Sequence, residues 1–170
     1  MSGIVTGVCF VPWSDANDGA TVRWLNDPAI RASFGITGSV TLESHRQWRR
    51  QHTSLAAWAI EADSIHCGNF LLDINPRHAS AYLQIYIGET YLQGRGIGRQ
   101  AVALGLVKAF GTLAMNRVWL HTRQDNPRAR HLYESLGFRY EGTERESIRD
   151  GDRFLNQDRW ALLRADWRSP

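Results

Sequence analysis

The chain has 170 residues, 43% hydrophobic and 22% charged, which suits one folded domain able to bury well over half of its unfolded surface without a disulfide or metal staple. Its net charge of +3 sets 20 basic against 17 acidic residues, and Lys108 is the single lysine, so the positive charge is arginine, the side chain suited to forked phosphate recognition. No basic run exceeds Arg49-Arg50, extended loosely to Arg46, which argues against nucleic acid, and no apolar run approaches the roughly 18 residues of a membrane span.

In chain order, residues 4–10 alternate loosely and predict a first strand. Residues 15–25 predict a helix carrying Val22, Trp24 and Leu25. Asp27-Pro28 reads as an N-cap followed by proline at the first helical position, and this short helix stops near Gly35. Thr41 caps a further helix through Gln51. Residues 57–61, 67–73 and 80–87 predict three consecutive strands, joined at Asp63-Ser64 and at Asn75-Pro76-Arg77. A glycine-rich loop at 93–98 leads into a helix over 99–110, then a strand over 118–122. Asn126-Pro127 opens a helix with Ala129, Leu132, Tyr133 and Leu136 on one face, closed by Gly137. Strands over 138–146 and 154–163 flank a hairpin turn at Asp150-Gly151. The order predicts an α/β (α+β) domain over residues 1–170, with a mixed, mainly antiparallel sheet flanked by helices.

Cys9 and Cys67 lack metal-ligand spacing and are expected as buried free thiols in a reducing compartment. No metal is expected. The first residues lack a basic segment and a long apolar stretch, so no signal peptide is expected and the reading is cytoplasmic.

The loop Gln93-Gly94-Arg95-Gly96-Ile97-Gly98 carries the strongest chemical signal. Its glycines let backbone amides converge on one concavity, and the next helix adds the partial positive charge of its N-terminus. Together they suit a pyrophosphate, with Arg95 and Arg99 at the rim. The loop ends Gly-Arg-Gln, so it is not a Walker A loop, and its spacing and position depart from a dinucleotide-binding fingerprint.

Gln93-x-x-Gly96-x-Gly98 resembles the Q/R-x-x-G-x-G/A signature of the GNAT superfamily of N-acetyltransferases. Asn126-x-x-Ala129-x-x-Leu132-Tyr133-x-x-x-Gly137-Phe138 resembles that family's N-x-x-A-x-x-L-Y-x-x-x-G-F segment, about 30 residues on. The resemblance covers residues 56–165 well and the first 50 loosely, and is nearest to spermidine, Rim-type protein and nucleotide-amino-sugar N-acetyltransferases.

The resemblance implies acetyl-coenzyme A as cosubstrate and a small-molecule amine as acceptor, joined by direct attack in a ternary complex. It implies that the strand end at Ile85 and Ile87 splays from its neighbour and receives the pantetheine arm, with an amide near Ile87 polarising the thioester. It also implies that Gln93, Gly94, Arg95, Gly96, Ile97, Gly98, Arg99 and Asn126 hold the coenzyme, and that Tyr133 protonates the leaving thiolate. Many relatives carry a glutamate on the strand before the loop; here Tyr82 or Gln84 stands in that region. Glu89 is the first substitute as base, directly or through water, with Asp73 as the alternative relay. The stretch Arg23-Trp24-x-Asn26-Asp27-Pro28 is similar to acetyltransferases of nucleotide-linked amino sugars, with Trp24, Trp48 and Arg49 as acceptor contacts. A polyamine acceptor would draw on Glu144, Glu146, Asp150, Asp152 and Asp158; a protein α-amine acceptor, a catalytically silent coenzyme-binding module and a general nucleotide-binding domain stay open. A homodimer is also open, as relatives often dimerise.

Overall fold

The structure, a computed structural model, describes residues 7–168. Seven strands form one sheet in the order β1-β2-β3-β4-β5-β7-β6. They are β1 (Val8–Pro12), β2 (Leu55–Ala62), β3 (Ile65–Asn75), β4 (Ser80–Ile87), β5 (Arg117–Arg123), β6 (Arg139–Asp150) and β7 (Arg153–Leu163). Every neighbouring pair is antiparallel except β4 and β5.

The predicted meander is present as β2, β3 and β4. Its first turn places Asp63 and Ser64 at φ of 51° and 65°, the left-handed pair of a tight hairpin. The predicted strand over 4–10 is found as β1 from Val8; residues 4–6 lie outside the described residues. Val8 and Phe10 of β1 pack against the core, so Cys9 between them points to the opposite face and is exposed rather than buried. Cys67 on the central β3 is buried as expected, and burial pushes its thiol up to about 11.

The helices are α1 (Asp18–Leu25), α2 (Pro28–Phe34), α3 (Leu42–Gln51), α4 (Ile97–Val107) and α5 (Pro127–Ser135). The predicted helix over 15–25 begins as a 3-10 turn at Asp15–Asn17. Asp27 caps α2 and Thr41 caps α3, each accepting a backbone amide. The helix expected to run to 110 leaves α geometry at Val107 and makes a π turn over Lys108–Thr112, which carries Ala109 and Phe110 into the core. The hairpin turn is one residue later than expected: Asp150 still pairs with Arg153, so Gly151-Asp152 makes the corner.

The main core lies between the sheet and α4, built on Phe70, Leu72, Val102, Leu106, Val118 and Leu162. On the other face, Asp18 is fully buried and receives Arg46 Nε at 3.0 Å and Arg49 Nη1 at 2.6 Å. That pair ties α1 to α3 and fixes the helical layer on the sheet.

Candidate active site

The parallel β4–β5 pair is only three positions long. Ser80, Ala81 and Tyr82 pair with Arg117, Val118 and Trp119, and the strands then part. The rings of Tyr82 and Trp119, tilted at 39° with 4.6 Å between centroids, stand at the fork. Beyond it, 83–87 of β4 keeps its β3 partners and leaves its other edge open. This is the splay expected around Ile85 and Ile87.

Two cavities meet along that edge, of about 590 Å³ and about 420 Å³. Both touch Ile85, Ile87, Gln93, Asn126 and Tyr133, so these residues mark the boundary. The smaller cavity reaches the glycine-rich loop and touches Gly94, Gly96, Ile97, Gly98 and Arg99. Gly96 sits at φ +81° as the residue before α4. The first-turn amides of Ile97, Gly98 and Arg99 meet no acceptor among the described residues. A Cβ added at Gly98 would meet no protein atom within 4 Å, although its backbone is ordinary helix. The space above Gly98 is therefore a cradle that a side chain would fill, and the amides beneath it suit an anion.

The other loop residues divide by role. Gln93 borders both cavities, and its Nε2 donates to the Ile87 carbonyl at 2.8 Å and ties the loop to the end of β4. Arg99 reaches α5 through the Ser135 hydroxyl. The Arg95 side chain is exposed and does not line the cavity. Arg128 does, facing Gly94 across it, a cation that the motif pattern had marked only as a spacer. Asn126 caps α5 through Ala129 N at 3.1 Å while bordering both cavities.

Tyr133 is 7% exposed and packs edge-on against Phe138. Its hydroxyl has no hydrogen-bond partner among the described residues, and burial, with a smaller contribution from Tyr82, pushes the phenol well above its usual range. It thus stays protonated and neutral at the junction of the two cavities.

Glu89, expected as the base, lines neither cavity and receives the Arg23 guanidinium and Trp24 Nε1, the latter at 3.2 Å. Asp73 is also outside, accepting the Ser54 hydroxyl at 2.6 Å. Instead, the larger cavity holds Tyr82 and Gln84 as expected, and with them His121 of β5, which sequence reasoning missed. His121 Nδ1 lies 3.4 Å from the Tyr82 hydroxyl, and its Nε2 is 3.1 Å from Glu144 Oε1, close but without hydrogen-bond geometry. Arg159 donates to the same Glu144 oxygen. Burial raises the Tyr82 phenol as well.

None of the three expected acceptor contacts reaches this cavity. Trp24 is 3% exposed, and a Cβ on Gly88 would overlap its indole at 2.0 Å, so it is core packed on the end of β4. Arg49 is bound to Asp18 and Asp15. Trp48 lines an apolar pocket of about 370 Å³ with Trp13 and His45, which adjoins the larger cavity at Phe34, Gln84 and Tyr86. Among the described residues no cluster has the makings of a metal site.

Comparison with known proteins agrees with this geometry. Residues 8–139 match the acetyltransferase (GNAT) domain family. The chain belongs to the GNAT family. A relative, spermidine N(1)-acetyltransferase of Vibrio cholerae serotype O1, is 34% identical over 97 residues, which is 57% of this chain and 56% of that protein, little more than half its length. The enzyme of the same name from Escherichia coli K12 is 34% identical over 134 residues, 78% of this chain and 68% of the relative. In fold, the GNAT chain superposes on a crystal structure of spermidine N-acetyltransferase from Vibrio cholerae in complex with CoA and spermine. That match has a TM-score of 0.88 and 23% identity, and covers 94% of this chain and 96% of the other.

Proposed function

We propose that the chain is an acetyl-coenzyme A-dependent N-acetyltransferase acting on the primary amine of a small molecule. The observation that carries this reading is the junction at Tyr133. A glycine cradle with free helix amides on one side and a polar cavity on the other meet at a largely buried phenol beside an open strand edge.

The coenzyme supplies the acetyl group as a thioester and leaves as a thiolate. The chain's residues divide the remaining work. The amides of α4 and the Arg128 cation hold the diphosphate end. The open edge of β4 orients the pantetheine arm. The amine lone pair forms the new C–N bond while the C–S bond breaks, and Tyr133 gives its proton to sulfur. The surplus ammonium proton passes to His121, backed by Glu144 and Arg159, which replaces the expected Glu89. This assignment rests on position, since His121 lines the acceptor cavity and Glu89 does not.

The names of the relatives favour polyamines over the amino-sugar acceptor expected from Trp24, Trp48 and Arg49, and those three residues lie away from the cavity. Thiol release from acetyl-coenzyme A, measured over a panel of amines, tests the reading. Amine-dependent release above hydrolysis supports it; coenzyme binding without release across the panel would leave a silent binding module.

A further inference from the structure

The apolar pocket beside α3 plays no part in the acetyl-transfer chemistry above. It measures about 370 Å³ and adjoins the acceptor cavity, with Phe34, Gln84 and Tyr86 lining both. Gln84 and Tyr86 alternate onto one face of β4, and Leu71, the β3 partner of Gln84, continues that face into the pocket. The acceptor cavity thus follows the open edge of β4, and the apolar pocket lies next to it over the interior of the sheet.

The stretch Arg23-Trp24-x-Asn26-Asp27-Pro28 helps to build this pocket. Asn26 Nδ2 donates to the Val40 carbonyl at 2.8 Å, and Asn26 Oδ1 accepts the Val40 amide at 3.0 Å. That clamp holds the segment after α2 against α1, and Ile36 and Val40 of the segment line the pocket. Trp13, His45 and Trp48 form a ladder of rings with centroids 5.6 Å and 6.2 Å apart. Phe34 meets Tyr86 edge-on at 5.4 Å. The Tyr86 hydroxyl is engaged by Asn69 Nδ2 at 2.7 Å, which leaves its ring as the part free for a ligand.

Among the described residues that line the pocket there is no Asp, Glu, Lys or Arg. His45 is 3% exposed, and burial holds it below its usual range, so it is neutral at physiological pH. Asp18, Arg46 and Arg49 satisfy one another outside the lining. The second ammonium of a polyamine would lose its hydration here with no carboxylate to meet it. A neutral apolar group loses nothing by entry, and walls of ring faces and edges suit an aromatic one. An apolar cavity of about 150 Å³ is enough for benzene, so this pocket has room for one ring or two fused rings.

We propose, building on the acetyltransferase reading, that the pocket lined by Phe34, Val40 and Trp48 is a subsite for the acceptor's side group, and that the acceptor is a primary amine carrying a neutral aromatic ring on a short aliphatic linker. The amine then lies in the acceptor cavity near His121 and the ring in the adjoining pocket. Trp48 contacts the acceptor in this arrangement, through the second chamber rather than the first.

The test compares kcat/KM in thiol release for phenethylamine, tryptamine, ethylamine and spermidine. The better aryl amine is expected to exceed ethylamine and spermidine by at least about tenfold. Val40→Phe adds bulk to the pocket and should cut the ratio of aryl amine to ethylamine by at least about tenfold. Indole, which has the ring without the amine, should compete with phenethylamine on the unaltered chain and leave ethylamine turnover little changed. This arm decides the matter if Val40→Phe folds poorly, as a thermal melt would show. Spermidine or ethylamine as the best substrate, an unaltered ratio in folded Val40→Phe, or indole inhibiting both amines alike overturns the proposal while leaving acetyl transfer intact. No amine-dependent release at all removes the acetyltransferase reading beneath it.

Discussion

Glu144 Oε1 stands 3.1 Å from His121 Nε2 and also receives Arg159, so residues of three neighbouring strands meet behind His121, which lines the acceptor cavity. If His121 takes the amine proton, His121→Gln should lower kcat by roughly 10²-fold or more near neutral pH. The loss should shrink as the pH rises toward the pKa of the free amine, because solvent then supplies neutral acceptor. A pH profile of thiol release checks this. A pH-independent loss would return His121 to a packing role. Glu89→Gln should stay within about threefold of the parent, since its carboxylate holds Arg23 and Trp24 rather than substrate.

Tyr133→Phe separates chemistry from packing. The ring is buried while the hydroxyl opens on the cavities with no hydrogen-bond partner among the described residues, so its removal should leave stability within about 1 kcal/mol of the parent. Turnover should fall by roughly 10²-fold or more while coenzyme affinity holds. Thermal melts, calorimetry and steady-state rates report the three quantities. Full activity in this variant would make Tyr133 a core residue alone.

Gly98→Ala tests the cradle without straining the fold. The new Cβ meets no protein atom, and alanine is favoured over glycine in a helix by roughly 0.5–1 kcal/mol. The melting temperature should rise or stay level while coenzyme A affinity falls. Gly98→Val should weaken it further, by at least about tenfold. Gly96→Val would confound the two effects, because its φ of +81° suits glycine alone. Unchanged affinity in both Gly98 variants would move the diphosphate away from this loop.

Acid should unfold the protein through the buried cluster under α3. Burial pushes His45 below its usual range, only partly countered by Asp18. For Asp18 burial acts upward, but Arg46 and Arg49 outweigh it and hold the carboxyl low. Both groups therefore bind protons more readily in the unfolded chain, and both stabilise the fold less as the pH falls. The His45 contribution is complete above about 6.5 and is lost as the pH falls through its lower folded value; that of Asp18 is complete above about 3.8 and is lost in stronger acid. His45→Phe should flatten the decline in melting temperature between about pH 6.5 and 4.5. Asp18→Asn should cost about 2–3 kcal/mol at pH 7, since the partly exposed arginines recover some hydration. An unaltered acid slope in His45→Phe would place the proton uptake on other groups.

The loop at 93–98 and the helix from Pro127 were legible in the sequence because their signals are local: glycines where φ turns positive, Asn126 at a cap, an apolar face at i, i+3, i+4. The strand pairs were legible for the same reason. His121 and Glu144 were not, since they come together only through the order β5-β7-β6, which skips a strand. Trp24 misled for the opposite reason. An aromatic on a short helix reads alike whether it stacks on a ligand or on the backbone of Gly88, and only the three-dimensional approach tells them apart. The expectation for Cys9 followed the general burial preference of cysteine, and its place on the face of β1 opposite Val8 and Phe10 overrode it.

The fork at Tyr82 and Trp119 divides the sheet into a four-stranded and a three-stranded leaf joined by three pairings. Opening the gap a little wider breaks no ladder bond, so acceptors of unequal girth can be admitted at small elastic cost. Occupation by an extended ligand chain would stitch the two leaves together. Amide exchange along 83–87 should then slow on ligation, while the β3 side of the same strand is already locked.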